Sequence, residues 1–113
     1  MPSLSLRIDL DPQGRIGPGK IELLERIAVA GSISGGARAM DMSYKHAWDL
    51  VEEMNQLFGK PVIAAQTGGK RGGGATLTAV GEALVNRYRT IEKAATRAAA
   101  AEMAALQAEI DAG

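Results

Sequence analysis

The chain has 113 residues, 13 basic and 13 acidic, for a net charge of zero; 46% are apolar, only 4% aromatic, and none is cysteine. That length supports one domain with a modest core built from Leu, Ile, Val, Met and Ala, while the lack of cysteine excludes disulfides and thiolate metal sites and points to a reducing cytoplasm. No run of about 18 apolar residues exists, which argues against a membrane span, and residues 1–15 carry Asp9 and Asp11 where a signal peptide would be basic and then apolar.

Leu4, Leu6, Ile8 and Leu10 alternate with Ser5, Arg7 and Asp9, a period of two that predicts a half-buried strand over 4–10. Asp11-Pro12-Gln13-Gly14 reads as a turn and Arg15-Ile16 as a returning strand, so 4–16 forms a strand hairpin. Gly17-Pro18-Gly19 breaks the pattern. A helix starts at Lys20 with Ile21, Leu24, Ile27 and Ala28 on one face, and Gly31 ends it. Ser32 and Ser34 each offer an N-cap for a short second helix over about 35–40. Its Gly35 and Gly36 each cost up to ~1 kcal/mol relative to alanine, so packing must hold it.

Asp41-Met42-Ser43 is a tight turn, and Ser43 caps a third helix running to about Phe58, stopped by Gly59. Ala47, Leu50, Val51, Met54, Leu57 and Phe58 form its apolar stripe; Ser43, Tyr44, Lys45, His46, Asp49 and Glu53 take the other face, with Trp48 just outside the stripe. Val62-Ile63 and Ala75–Leu77 are β-prone pieces flanking Gln66–Gly74, in which five of nine residues are glycine and Lys70 and Arg71 are the charges; a β wing over 61–77 with a long basic tip fits best. Thr78 caps a last helix over 79–111, with Glu82 in its first turn. Leu84, Tyr88, Ile91 and Ala95, then Met103 and Leu106, mark its apolar seam. At 1.5 Å per residue it is roughly 45–50 Å long, more than so small a domain can cover, and the surplus seam suits a second copy of the chain.

The fold class is therefore mainly α with a small β wing. Helices over 20–58, the second and third joined by a short turn, followed by a hairpin and a long helix, spell a winged helix-turn-helix with a long C-terminal dimerisation helix. In that arrangement the third helix enters the major groove of double-stranded DNA, and the wing lies along the backbone. Zero net charge counts against nucleic acid, but Met54–Gly81 contains no Asp or Glu while holding Lys60, Lys70 and Arg71. The Gly-rich segment is no phosphate-binding P-loop, because Lys70 precedes the glycines and a strand follows them. No nucleophile–base pair exists, so no catalytic residue is expected and the chain does not read as an enzyme. His46 has no Cys or His partner for a metal, and no cofactor is expected.

The run Gly31–Leu50, with its Ser43-Tyr44-Lys45-His46-Ala47-Trp48 core, together with Thr67-Gly68-Gly69-Lys70 and Leu77-Thr78-Ala79-Val80-Gly81, resembles the DNA-binding domain of the molybdate-responsive ModE regulators, and more distantly the LysR-type helix-turn-helix. The resemblance covers about residues 18–95. It implies a cytoplasmic homodimeric transcription regulator of molybdenum-related genes that reads a palindromic site. DNA contacts are expected from Ser34, Arg38, Ser43, Tyr44, Lys45, His46, Trp48 and Asp49, and from Thr67, Lys70 and Arg71 in the wing. The family's molybdate-binding region has no counterpart here, which leaves room for a separate ligand-sensing protein partner. Three departures stand out: Ala64-Ala65 where Glu-Arg is common, Arg71 where glycine is common, and Gly36 where alanine is usual, the last expected to loosen the second helix. Two other readings stay open. One is a protein-interaction module with weak or no DNA binding. The other is a direct oxyanion sensor built on the wing amides with Lys70 and Arg71.

Overall fold

The computed structural model describes residues 1–66 and 74–113. In chain order it contains β1 (Ile8–Leu10), β2 (Gly14–Ile16), α1 (Pro18–Ala30), α2 (Ile33–Ala39), α3 (Tyr44–Phe58), β3 (Ile63–Gln66), β4 (Gly74–Leu77) and α4 (Ala79–Ala112). This is a winged helix-turn-helix carrying a long C-terminal helix. Among the described residues, no helix is long and apolar enough to cross a membrane.

Local chemistry sets the helix ends. Pro18 opens α1 two residues ahead of the start expected at Lys20, because in the first helical turn its missing N–H costs nothing. Between the two serines that offered a cap for α2, Ser32 is used: its Oγ accepts from the Gly35 N–H at 3.0 Å, and α2 begins two residues earlier than the sequence suggested. Ser43 Oγ accepts from His46 N–H at 3.0 Å, and Thr78 Oγ1 from Gly81 N–H at 3.1 Å. Gly31 and Gly59 end α1 and α3 in the left-handed conformation. The α2–α3 turn closes by Asp41 N–H to the Arg38 carbonyl (3.1 Å) and Met42 N–H to the Ala37 carbonyl (3.0 Å). Asp41 takes φ 54° there, a left-handed conformation that Asp tolerates better than most residues.

The core joins Ile16, Ile21, Leu23, Leu24 and Ile27 to Ala47, Val51 and Met54 of α3, with Val62, Val85 and Tyr88 beneath them. On α1, Leu23 is buried and Ala28 is exposed, the reverse of the expectation for Ala28. The helix is enclosed on both flanks, by α2 with β4 and by α4, so its buried face is wider than a single stripe. Gly36 does not loosen α2. A Cβ on it would lie 2.5 Å from Ile27 Cγ1 and 2.9 Å from the Ile27 nitrogen, so the bare glycine lets α2 sit against the α1 backbone.

The hairpins are antiparallel, with Ile8 opposite Ile16 and Ile63 opposite Leu77. The N-terminal strand is shorter than its alternation predicted, spanning 8–10 instead of 4–10. Pairing stops at Ile16 because Gly17-Pro18 turns the chain into α1, leaving residues 4–7 no strand partner. Their backbone meets α4 instead: Tyr88 OH donates to the Leu6 carbonyl at 2.6 Å.

At the root of the wing, the Val62 carbonyl accepts from Thr78 N–H at 3.0 Å, and Thr78 Oγ1 donates to the Pro61 carbonyl at 2.7 Å. Gly81 lies so close to the Val62 carbonyl that a Cβ would overlap the oxygen. On the wing's other flank, Ala75 N–H donates to the Gly31 carbonyl at 2.7 Å, tying β4 to the end of α1.

Candidate nucleic-acid interface

Burial of Ala47, Val51 and Met54 fixes the rotation of α3 and turns the opposite side of its first two turns outward. That side presents Ser43, Tyr44, Lys45, His46 and Trp48 exposed, with Asp49 half-buried. Tyr44 keeps 54% and Trp48 48% of its surface open, so Trp48 belongs to the outer face more than to the stripe it borders in sequence. Ser43 already accepts the His46 N–H, leaving its hydroxyl proton as the group it can offer outward. Lys45 Nζ lies 3.1 Å from Asp49 Oδ2, an i,i+4 pair on the open surface.

Farther along α3 the charge changes sign. Glu52 and Glu53 join Asp49 beside an open groove against the β1–β2 hairpin, where Lys20 bridges the Arg15 carbonyl (2.9 Å) and Glu53 (3.1 Å). Carboxylates repel phosphates, so the part of α3 suited to a polyanion is its N-terminal half, ahead of Glu52 and Glu53. That end also carries the positive pole of the helix and its open N–H groups.

On α2, Ser34 and Arg38 are exposed, Ser34 Oγ lying 3.4 Å from Ser32 Oγ. The structure thus brings Tyr44, Lys45, Trp48 and Asp49 together on one helix face and places Ser34 and Arg38 on the helix before it. Thr67, Lys70 and Arg71 lie outside the described residues, and so do the wing amides on which the oxyanion reading depends. Ala64 and Ala65 are exposed on β3 and present no charge there.

The expected dimer seam divides. Tyr88 is 1% exposed and fills its own protomer's core, and Leu84 packs against that core, so neither forms part of an open seam. Burial pushes the Tyr88 phenol's pKa up, with Glu92 raising it further and Arg89 opposing. Beyond Tyr88 no residue of α4 is buried. Ile91 is 46% exposed and Leu106 69%, with Ile110 at 73%, while Ala95 and Met103 are half-buried.

Sequence reading missed the clamp that aims this helix. Arg89 grips Glu25 of α1 through two hydrogen bonds (3.1 and 2.6 Å) and Glu92 at 2.8 Å. The two carboxylates hold the guanidinium's pKa well above its ordinary value. Because Glu25 and Arg89 are 64 residues apart, no local pattern signals the pair.

No family model matches the chain. It is 45% identical over 84 residues to the molybdenum-pterin-binding protein MopA of Rhodobacter capsulatus, which is 74% of this chain and 32% of that protein. It is 51% identical over 71 residues to the DNA-binding transcriptional dual regulator ModE of Escherichia coli K12 (63% and 27%), and 40% identical over 88 residues to the transcriptional regulator ModE of Haemophilus influenzae (78% and 34%). The chain thus spans about a third or less of the length of these relatives. The ModE resemblance read from its motifs is shown by them, and their names describe regulators or binding proteins.

Proposed function

We propose that this ModE-like chain is a DNA-reading unit of a transcription regulator, of the LysR-type helix-turn-helix class, acting as a homodimer on a two-fold site near molybdenum-related genes. The observation that carries the reading is the outward first half of α3. A buried stripe locks its rotation, and it offers hydroxyl, amide, cationic and aromatic groups at a free helix N-terminus. A relative 51% identical to it is a DNA-binding transcriptional dual regulator.

Each part has its task. Lys45 and Arg38 contact phosphates, joined by Lys70 and Arg71 of the wing on the strength of sequence alone. Ser43, Tyr44, His46, Trp48 and Asp49 face base edges, with Ser34 and Thr67 at the margins. A homodimer is supported by the open apolar residues Ile91, Leu106 and Ile110 of α4, and its two α3 helices would enter successive major grooves. Some relatives are named for molybdenum, yet among the described residues no charged side chain is buried. These residues therefore do not fit an enclosed oxyanion site, and molybdate would reach this unit through a separate sensing region or partner.

The test is selection of genomic fragments by the purified protein at two salt concentrations. A two-fold motif is expected. Arg38→Ala and Lys45→Ala should each weaken binding to all sequences and flatten the salt dependence by about 0.9 in log–log slope. No motif, with weak binding that vanishes at moderate salt, would instead support the protein-interaction module. Zero net charge, the bare Ala64 and Ala65, and the Lys45–Asp49 pair favour that second reading.

A further inference from the structure

Aromatic residues are scarce here, with one Trp, two Tyr and one Phe in the whole chain. Tyr88 is fully used in the core and Phe58 packs against it. The remaining two, Tyr44 and Trp48, stand open one helical turn apart on α3. Four residues apart on a helix, they share a face and form one short apolar strip. Lys45 borders it with 85% of its side chain exposed, and Asp49 answers that charge from the next turn. An apolar strip edged by a cation, at the end of a helix free of carboxylates until Asp49, matches a surface that is anionic outside and carries isolated apolar groups within. The floor of the DNA major groove is such a surface. Its one apolar feature is the C5 methyl of thymine; every other edge group there is a donor or an acceptor.

We infer that Tyr44 and Trp48 are specificity-determining residues that read thymine by its 5-methyl group. The inference rests on the DNA-binding reading and adds the chemical group recognised. The two Cα atoms are separated by about 6 Å along the helix axis. Base pairs repeat at about 3.4 Å, so a helix lying along the groove sets the two rings over thymines about two steps apart. Lys45 holds the phosphate flank, which keeps the rings pressed to the groove floor without itself selecting a base.

The experiment uses the full chain and the duplex it selects. Thymines are replaced one at a time by deoxyuridine, which removes only the methyl, and affinity is read by fluorescence anisotropy. One or two positions per half-site, about two steps apart, should lose about fourfold, the value of one buried methyl-sized group. Trp48→Ala should abolish the thymine–uracil difference at one position and Tyr44→Ala at the other, while Tyr44→Phe keeps it. Thermal melts of each variant establish that it is folded. If wild-type protein binds the site equally with thymine or uracil everywhere, or selects a motif without thymine, the inference falls and the DNA-binding reading stands. If no motif is selected at any salt, the DNA-binding reading itself fails and takes the inference with it.

Discussion

Replacing Gly81 by alanine tests how the wing is seated on α4. In isolation the change favours the helix by up to ~1 kcal/mol, so without a steric obstacle the protein would melt higher. The structure places an obstacle there. The new Cβ would overlap the Val62 carbonyl oxygen, lie 3.1 Å from the Val62 carbonyl carbon and touch Leu77 Cβ at 3.5 Å. The carbonyl cannot swing aside freely, because it accepts Thr78 N–H and its neighbouring Pro61 carbonyl accepts Thr78 Oγ1. Overpacking of this kind costs about 1–3 kcal/mol, and a weakened backbone hydrogen bond about 1 more. Set against the helix gain, the net loss is about 2 kcal/mol, a fall in Tm of roughly 8 °C for a domain this size. Thermal unfolding followed by circular dichroism reads it, with Gly19→Ala as the control, since nothing lies within 4 Å of a Cβ at Gly19. An unchanged or raised Tm for Gly81→Ala would refute the contact between the wing and the root of α4.

Tyr88→Phe should cost about 1 kcal/mol in denaturant unfolding at neutral pH, the net worth of the bond to the Leu6 carbonyl. The folded phenol titrates above its ordinary value of 10.0, so wild-type stability is intact below that pH and falls as pH rises through the higher folded value; Tyr88→Phe should lack this alkaline loss. Asp49→Asn removes the carboxylate beside Lys45 and should raise affinity for random DNA, most at low salt, read by titrations at several salt concentrations. The proposed dimer should sediment as a monomer in a Leu106→Glu, Ile110→Glu double variant with helical content unchanged; a dimer that persists would place the interface elsewhere, and a monomeric wild type would refute the dimer.

Sequence exposed what is decided locally. Ser43, Thr78 and Gly59 marked helix ends where the structure has them, because a cap is a bond between residues three apart or a backbone conformation that favours glycine. The outward face of α3 followed from periodicity alone. What stayed hidden depends on partners distant in the chain. Tyr88 fits a helix seam by spacing, yet Leu6 and the core claim it. Leu23 lay outside the face read for α1 and is buried because that helix is enclosed on both sides. Gly36 reads as a weak point in a helix and is a contact surface once Ile27 lies against it. The alternation at Leu4–Leu10 promised a longer strand than β2 can pair.

Mechanically, α4 is a lever with a fixed root. Its first turns are pinned to the wing through Val62 and to α1 through Arg89 and Glu25, and from there it runs on without a glycine or proline until Gly113. Such a rod has no internal joint at which to bend. A small change of tilt at the root becomes a displacement of several ångströms at the tip, and a grip on the tip returns to the root as torque. Whatever holds the far end therefore bears on the angle at which the rest of the domain, the outward face of α3 included, is presented.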